Sequence, residues 1–265
     1  MTDGKSDDKI RFGGMALPNG VLVHGPTSWA CAIRNEDGRI EVASAAKPFR
    51  ASNVTIPFLR GPARLAEAMA VLPQMKRALP GAKLPMQSRR VAASMFGAAV
   101  AVRGVRESRR LGPVAQELLS GLLSLAPAVL ALRGTELAAY HGAEHISIGR
   151  YEHGDGVQKE HERCGGHLVG PLIATTAVGN VLANLAPLRL RKQARAAAQI
   201  GAVAASTEIF GWMTRNPDHV MSQALSKPGH ELQHRLSTAE PTGEQLEVAE
   251  AALAACLELE HGADH

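Results

Sequence analysis

Aromatic rings are scarce in this chain. Phenylalanine, tryptophan and tyrosine together make up 3% of it, although 45% of its residues are hydrophobic. A core without rings is built from alanine, leucine, valine and glycine, which pack closely where helices meet backbone to backbone. The sequence therefore predicts a mainly α protein. Cations interleaved with aromatics, the pattern of a nucleic-acid groove, are also missing, so no nucleic-acid partner is expected. Three cysteines, Cys31, Cys164 and Cys256, are too few and too scattered for a disulfide framework. The opening, MTDGKSDDKIRF, lacks the apolar stretch of a cleaved signal peptide.

What is present is arranged in blocks. Residues 1–10 read as a disordered leader, 11–50 as a small β-rich element, 51–240 as a helical core, and 241–265 as an amphipathic helix with its tail. In 21–44 short apolar pieces alternate with turn residues, and Asn35-Glu-Asp-Gly38 closes a hairpin. The glycines of FGGMALPNGV, ahead of it, read as a tight turn entering the sheet. Helical patterns follow at 64–79, 91–102, 118–132 and 135–147, the last with Thr135 as its expected cap, and a polar loop is expected over 149–166. Thr242 and Gln245 form a capping box for the C-terminal helix, whose apolar stripe includes Cys256 as a core thiol.

Two stretches approach membrane length, which is about 20 residues. Residues 167–188 contain no Asp, Glu, Lys or Arg, and 196–213 contain a single carboxylate, Glu208. Both are interrupted by polar or small residues, so a membrane-embedded bundle and a soluble alanine-rich bundle remain alternative expectations. Basic clusters at Arg89–Arg90, at 103–110 and at 189–195 flank the apolar runs. They read either as solvated helix ends or as cytoplasmic loops beside membrane segments.

The chemistry is concentrated in AAYHGAEHIS (138–147) and EHERCGGH (160–167). Five of the eleven histidines fall between 141 and 167, where an even scatter would place about one. On a helix, His141 and His145 stand one above the other and aim two imidazoles at one point. Glu144 lies at the edge of the same face, placed to take a proton from a metal-activated water, as in the His-x-x-Glu-His order. His161 and Cys164 are the nearest further donors, so the expected ligand pool is His141, His145, His161 and Cys164 around a divalent ion, with zinc favoured. Glu152, Arg163 and Glu208 are additional site residues on this reading. Asp155 and Glu160 would orient imidazoles, while His153 and His167 could be incidental. A Cys164 nucleophile with His161 as its base is a weaker alternative.

These residues resemble the signature of the YqhQ family, a bacterial group described as a predicted metal-dependent membrane enzyme. Its pattern, HGAEHK-x-I-x-x-YE followed by HPRCG, is matched at His141, Gly142, Ala143, Glu144, His145, Ile148, Tyr151, Glu152, His161, Arg163, Cys164 and Gly165. Residues 12–26, 57–61, 206–212 and 235–253 resemble other segments of that family. The chain departs from the pattern at Asn19, Ile146, Glu162 and Gly166–His167. The resemblance implies a metal site and a bacterial cytoplasmic membrane setting, with a cytoplasmic protein as the alternative. It names no reaction. The leading expectation is a metal-dependent hydrolase. The other is a non-enzymatic membrane scaffold or assembly factor in which a structural metal clips the loop to the helix.

In the membrane case, Glu208 would sit in an apolar helix, where a carboxylate requires a partner such as Arg60 or Arg163.

Overall fold

The computed structural model describes residues 9–108, 110–161 and 163–262. The expected leader therefore lies outside the described residues except at 9 and 10. Arg109 of the basic cluster and Glu162 of the signature also lie outside them.

The chain begins with a four-stranded antiparallel meander, β1 (Gly13–Leu17), β2 (Gly20–His24), β3 (Ser28–Arg34) and β4 (Ile40–Ala46), in the order β1-β2-β3-β4. The Asn35–Gly38 turn joins β3 to β4. Asn35 N–H donates to the Arg39 carbonyl, and Gly38 takes a φ of 82°, a conformation glycine adopts without strain. Apolar runs in β2 and β3 leave both faces of the sheet hydrophobic, so both must be covered. Val21, Val23, Ala30 and Ala32 point to one face and pack with Tyr140, Ala143, Val248, Ala252 and Cys256. Leu17, Leu22, Trp29, Cys31 and Ile33 point to the other and pack with Val71, Met75 and Leu79.

Eight α-helices follow among the described residues: α1 (Arg60–Ala78), α2 (Arg89–Glu107), α3 (Pro113–Leu132), α4 (Glu136–His153), α5 (Val169–Asn184), α6 (Arg191–Arg215), α7 (Val220–Leu232) and α8 (Gly243–Gly262). The protein is thus mainly α with a small N-terminal antiparallel sheet. Helices α4 and α8 cover one sheet face and α1 the other. The expected capping box is present: Thr242 N–H donates to Gln245 Oε1 and Gln245 N–H to Thr242 Oγ1.

Some local expectations are corrected. Gly13 and Gly14 lie in β1, paired with β2, rather than in a turn; a side chain on Gly14 would collide with Glu144. Thr135 does not cap α4 with its side chain; its hydroxyl donates back to the Ala131 and Leu132 carbonyls. Helix α4 continues past 147 to His153, so Glu152 and His153 are helical and the loop starts later than expected.

Helices α2, α3, α5 and α6 form a layer whose outer surface is apolar and open. Phe96, Val100, Leu118, Leu122, Val178, Leu182 and Ile200 are all exposed on it. A polar thread ties the four helices together inside. Asn180 donates to Glu117 at 2.6 Å, Gln199 donates to Asn180 at 3.1 Å, and Arg106 lies 3.6 Å from Glu117. Glu117 is near the start of α3 and Asn180 near the end of α5, so these helices run antiparallel. The basic turns after α2 and before α6 share that end of the layer, and Cys164, ahead of α5, is at the other.

The end of α8 is tied to the β2–β3 turn by one carboxylate. Glu260 accepts from the backbone N–H groups of Thr27 and Ser28 and from both their hydroxyls, at 2.6–2.9 Å. Burial alone would raise its pKa, but the Ser28 and Thr27 donors outweigh that and hold it below the usual carboxylate range. A folded-state pKa below the unfolded one contributes stability above the unfolded value, and that contribution is lost as pH falls through the folded value. Glu260→Gln turns one acceptor into a donor facing donors. It is expected to lose about 1–3 kcal/mol at pH 7 in urea unfolding, with the gap to wild type closing below about pH 4.

Candidate metal centre

Helix α4 carries the first two donors on the face turned toward the 154–164 loop and the 233–239 segment. His141 Nδ1 lies 2.7 Å from the Ser237 carbonyl, and His145 Nδ1 lies 2.6 Å from the Lys159 carbonyl. A carbonyl only accepts, so each Nδ1 carries the proton and each Nε2 presents its lone pair. Backbone partners of this kind orient metal-binding imidazoles. The rings are 4.4 Å apart between centroids. Between them in sequence, Gly142 lets α4 approach the chain at Ala239, since a Cβ there would collide with the Ala239 carbonyl oxygen. The adjoining Ala239 N–H donates to the Ala138 carbonyl at 2.9 Å, which locks the two segments in register.

Cys164 supplies the third donor from the turn before α5. Its Sγ accepts from Gly166 N–H at 3.4 Å and lies 3.5 Å from His141 Nε2. One donor atom from each of His141, His145 and Cys164 lies within 4.8 Å of the others. In a tetrahedral zinc site with Zn–S of about 2.3 Å and Zn–N of about 2.0–2.1 Å, the sulfur–nitrogen edge is about 3.5 Å. The observed edge matches that figure, and the donor set fits a divalent ion.

The electrostatics of the group follow from burial. Desolvation lowers the pKa of His141, and it takes His145 down to about 3 with help from His141, so both rings are neutral at pH 7, the form that binds metal. Desolvation, with Glu144 adding to it, pushes the Cys164 thiol up to about 12. A nearby cation is what would ionise it. Glu144, enclosed against β1, is pushed by burial up to about 8, and its Oε2 lies 4.0 Å from His141 Nε2.

His161 is placed differently from the other three expected ligands. Its Nδ1 accepts from Arg163 N–H at 3.2 Å and its Nε2 lies 3.2 Å from Glu152 Oε2, so both ring nitrogens are engaged away from the group. Glu152 also pairs with Arg163. Burial opposes ionisation of Glu152, but the His161 hydrogen bond and the Arg163 charge prevail and hold its pKa low. The imidazole beside Cys164 is thus His141, not His161, and a thiol pushed up to about 12 is a poor nucleophile. Glu208 stands apart as well. It accepts from Arg60 and from the N–H of Phe58, whose φ is 66°, and so braces a left-handed turn ahead of α1. Glu160 lies 3.1 Å from His234, Asp155 and His153 are exposed, and His167 is buried with its Nδ1 3.2 Å from the Ser226 carbonyl.

Two features of the surroundings escaped sequence reasoning. Helix α7 and the π-helical turn Gln233–Ser237 supply the Ser237 carbonyl, and the fully buried Gln233 accepts from His161 N–H at 3.0 Å. A lone buried glutamine among polar residues carries no spacing signal. Gly142 was visible only as part of the motif, although its φ is ordinary and its role is close approach.

The profile of a family described as a protein of unknown function, DUF1385, matches residues 135–259, just under half of the chain. The chain is similar to that family from α4 through most of α8, which includes every donor of the group. The match is consistent with the resemblance to the YqhQ family. No curated protein and no solved structure matches the chain.

Gly142→Ala forces its methyl group against the Ala239 carbonyl. It is expected to destabilise the fold by about 1–3 kcal/mol in thermal unfolding. Because it displaces the Ser237 carbonyl's neighbours, it should also weaken metal binding by about tenfold or more in a competitive chelator titration.

Proposed function

We propose that the chain is a membrane-associated metalloprotein of the hydrolase type, in which His141, His145 and Cys164 hold a divalent ion, zinc being the ion that suits this nitrogen and sulfur set. The observation that carries the reading is the convergence of three donor atoms, two of them imidazole nitrogens whose tautomers are already set by backbone carbonyls. Three protein donors leave one position of a tetrahedral ion open, which favours a catalytic over a closed structural site. When bound, the ion supplies Lewis-acid activation to a water or a substrate oxygen. Glu144 is the proton acceptor in this reading, held near the donors in an enclosed position and with a pKa raised toward the working pH of a general base. A cleft of about 820 Å³, with His145 in its wall, gives a substrate room beside the group.

The membrane part of the reading rests on two helical spans, Val114–Leu132 and Gly165–Asn184, that are long and apolar enough to cross a bilayer. Only 6% of the first window and 22% of the second are buried. A core helix of a soluble bundle would be mostly covered, and lipid is the natural cover for the exposed leucines and valines.

Purified wild-type protein is expected to carry about one zinc per chain by elemental analysis. His145→Ala and Cys164→Ser should lose most of it, and Glu144→Gln should keep it. A wild type that takes up no divalent metal ends the proposal. In cell fractionation the full chain should sediment with membranes and be released by detergent but not by carbonate at high pH; recovery in the supernatant would refute the membrane reading.

A further inference from the structure

The turn between α5 and α6 presents leucines and cations in alternation. It reads Leu185-Ala-Pro-Leu-Arg-Leu-Arg-Lys192, and Leu185 and Leu188 are 79% and 80% exposed. Leu190 is exposed beside them. Single apolar side chains are common on a protein surface, but three within one turn make a patch that asks for a partner.

The end of α2 is brought to the same place. Arg106 lies 3.6 Å from Glu117, and Glu117 accepts from Asn180 on α5. One turn further along α5, Asn184 accepts from Arg195 at 3.0 Å. The clusters at 103–110 and 189–195 therefore form one basic end of the helical layer. Across the described residues of 103–117 and 180–199, seven cations stand against two carboxylates, Glu107 and Glu117, a surplus of five. The side chains of Arg110, Arg189 and Lys192 take no hydrogen bond or ion pair among the described residues.

These features narrow what the end can bind. A small anion is held by donors that converge on it, whereas these cations are exposed and spread across the end. A charged plane requires number and exposure instead of convergence. A second copy docked through the same end would set its surplus of cations against an equal surplus. A nucleic acid would find no aromatic ring to stack on, since neither 103–117 nor 180–199 contains one, and it would leave the leucines in water. An anionic leaflet meets both needs: its phosphates face the cations, and its acyl boundary takes the leucines. A groove of about 250 Å³ between α3 and α5 starts beside Glu117 and is lined by Val114, Leu118, Val178, Val181 and Leu182. It gives an acyl chain a place close to Arg106.

We infer that this basic end is a docking surface for anionic phospholipid, with the α5–α6 leucines at the acyl boundary and Arg110, Arg189 and Lys192 among the headgroups. The inference rests on the membrane part of the proposed reading and is independent of the metal. It adds the class of lipid and the surface that selects it.

The experiment uses the full-length protein in dodecyl maltoside. It is mixed with micelles holding equal amounts of phosphatidylglycerol and phosphatidylcholine, captured and washed, and the retained lipid is extracted and quantified. Wild type is expected to retain phosphatidylglycerol over phosphatidylcholine by about tenfold or more in about 0.1 M salt, with the preference falling in about 1 M salt. The triple variant Arg110→Gln, Arg189→Gln and Lys192→Gln should come within about twofold of parity, with helix content by circular dichroism unchanged. Leu188→Asp should lower retention of both lipids by several-fold. Arg89→Gln with Arg90→Gln, at the other end of α2, should keep the preference. Equal retention of the two lipids by wild type, or a triple variant that keeps the preference, overturns this inference alone. Retention of neither lipid overturns it together with the membrane reading. An RNA oligonucleotide that binds wild type but not the triple variant, without lipid preference, assigns the surface to nucleic acid and also overturns the inference.

Discussion

Two backbone carbonyls, those of Ser237 and Lys159, set the tautomers of the two imidazoles on which the candidate centre depends. Each takes the Nδ1 proton of one imidazole on α4 and thereby aims the opposite nitrogen at the point where Cys164 arrives. The carbonyls come from segments 96 and 14 residues away from the rings they hold. The geometry is therefore a product of tertiary structure, not of the helix alone. Gln233 ties these pieces together: its side chain accepts from His161, and its backbone carbonyl accepts from both the N–H and the hydroxyl of Thr238. That closes the π-helical turn that presents Ser237. Such turns recur at functional sites because they redirect a carbonyl that a regular helix would consume internally.

Around this point the molecule has two regimes of packing. On one side a sheet with two apolar faces is enclosed by α1, α4 and α8, and its buried carboxylates are matched, as at Glu260 and in the buried Lys47–Glu67 pair at 2.8 Å. On the other, α2, α3, α5 and α6 expose leucine, valine and phenylalanine outward, while Glu117, Asn180 and Gln199 are joined in an internal thread. The first follows the rules of a water-soluble domain. The second leaves its apolar side chains without cover among the described residues. Helix α4 belongs to the first and α5 starts the second, so the donor group lies at their junction.

The sequence shows the elements more clearly than their meetings. Helix α8 and its capping box, the Asn35–Gly38 turn and the pairing of His141 with His145 are all local, and local spacing predicts them. Cys164 joins because a chain of about twenty residues can fold back on α4, and the histidine enrichment advertises that. His161 has the same enrichment and the same proximity, yet it is held by Glu152 and Arg163. Spacing cannot decide between coordinating an ion and pairing with a carboxylate, since an imidazole does either. Helix α7 was invisible because its polar residues and Pro228 mask its helical period. Local spacing reads Gly14 as a turn residue, because its reason for being glycine, room for Glu144, lies some 130 residues away.

The buried charges around the donors also balance. Without a cation, His141 and His145 are neutral, the Cys164 thiol keeps its proton and burial favours the protonated Glu144 at neutral pH, so the pocket carries no charge. A dication facing a thiolate and a carboxylate again gives no net charge, with two protons released in exchange. Either state avoids the large penalty of an isolated charge in a buried place. An ion that accepts electron pairs from nitrogen and sulfur at once matches all three donors, and the structure encloses the point where it would stand.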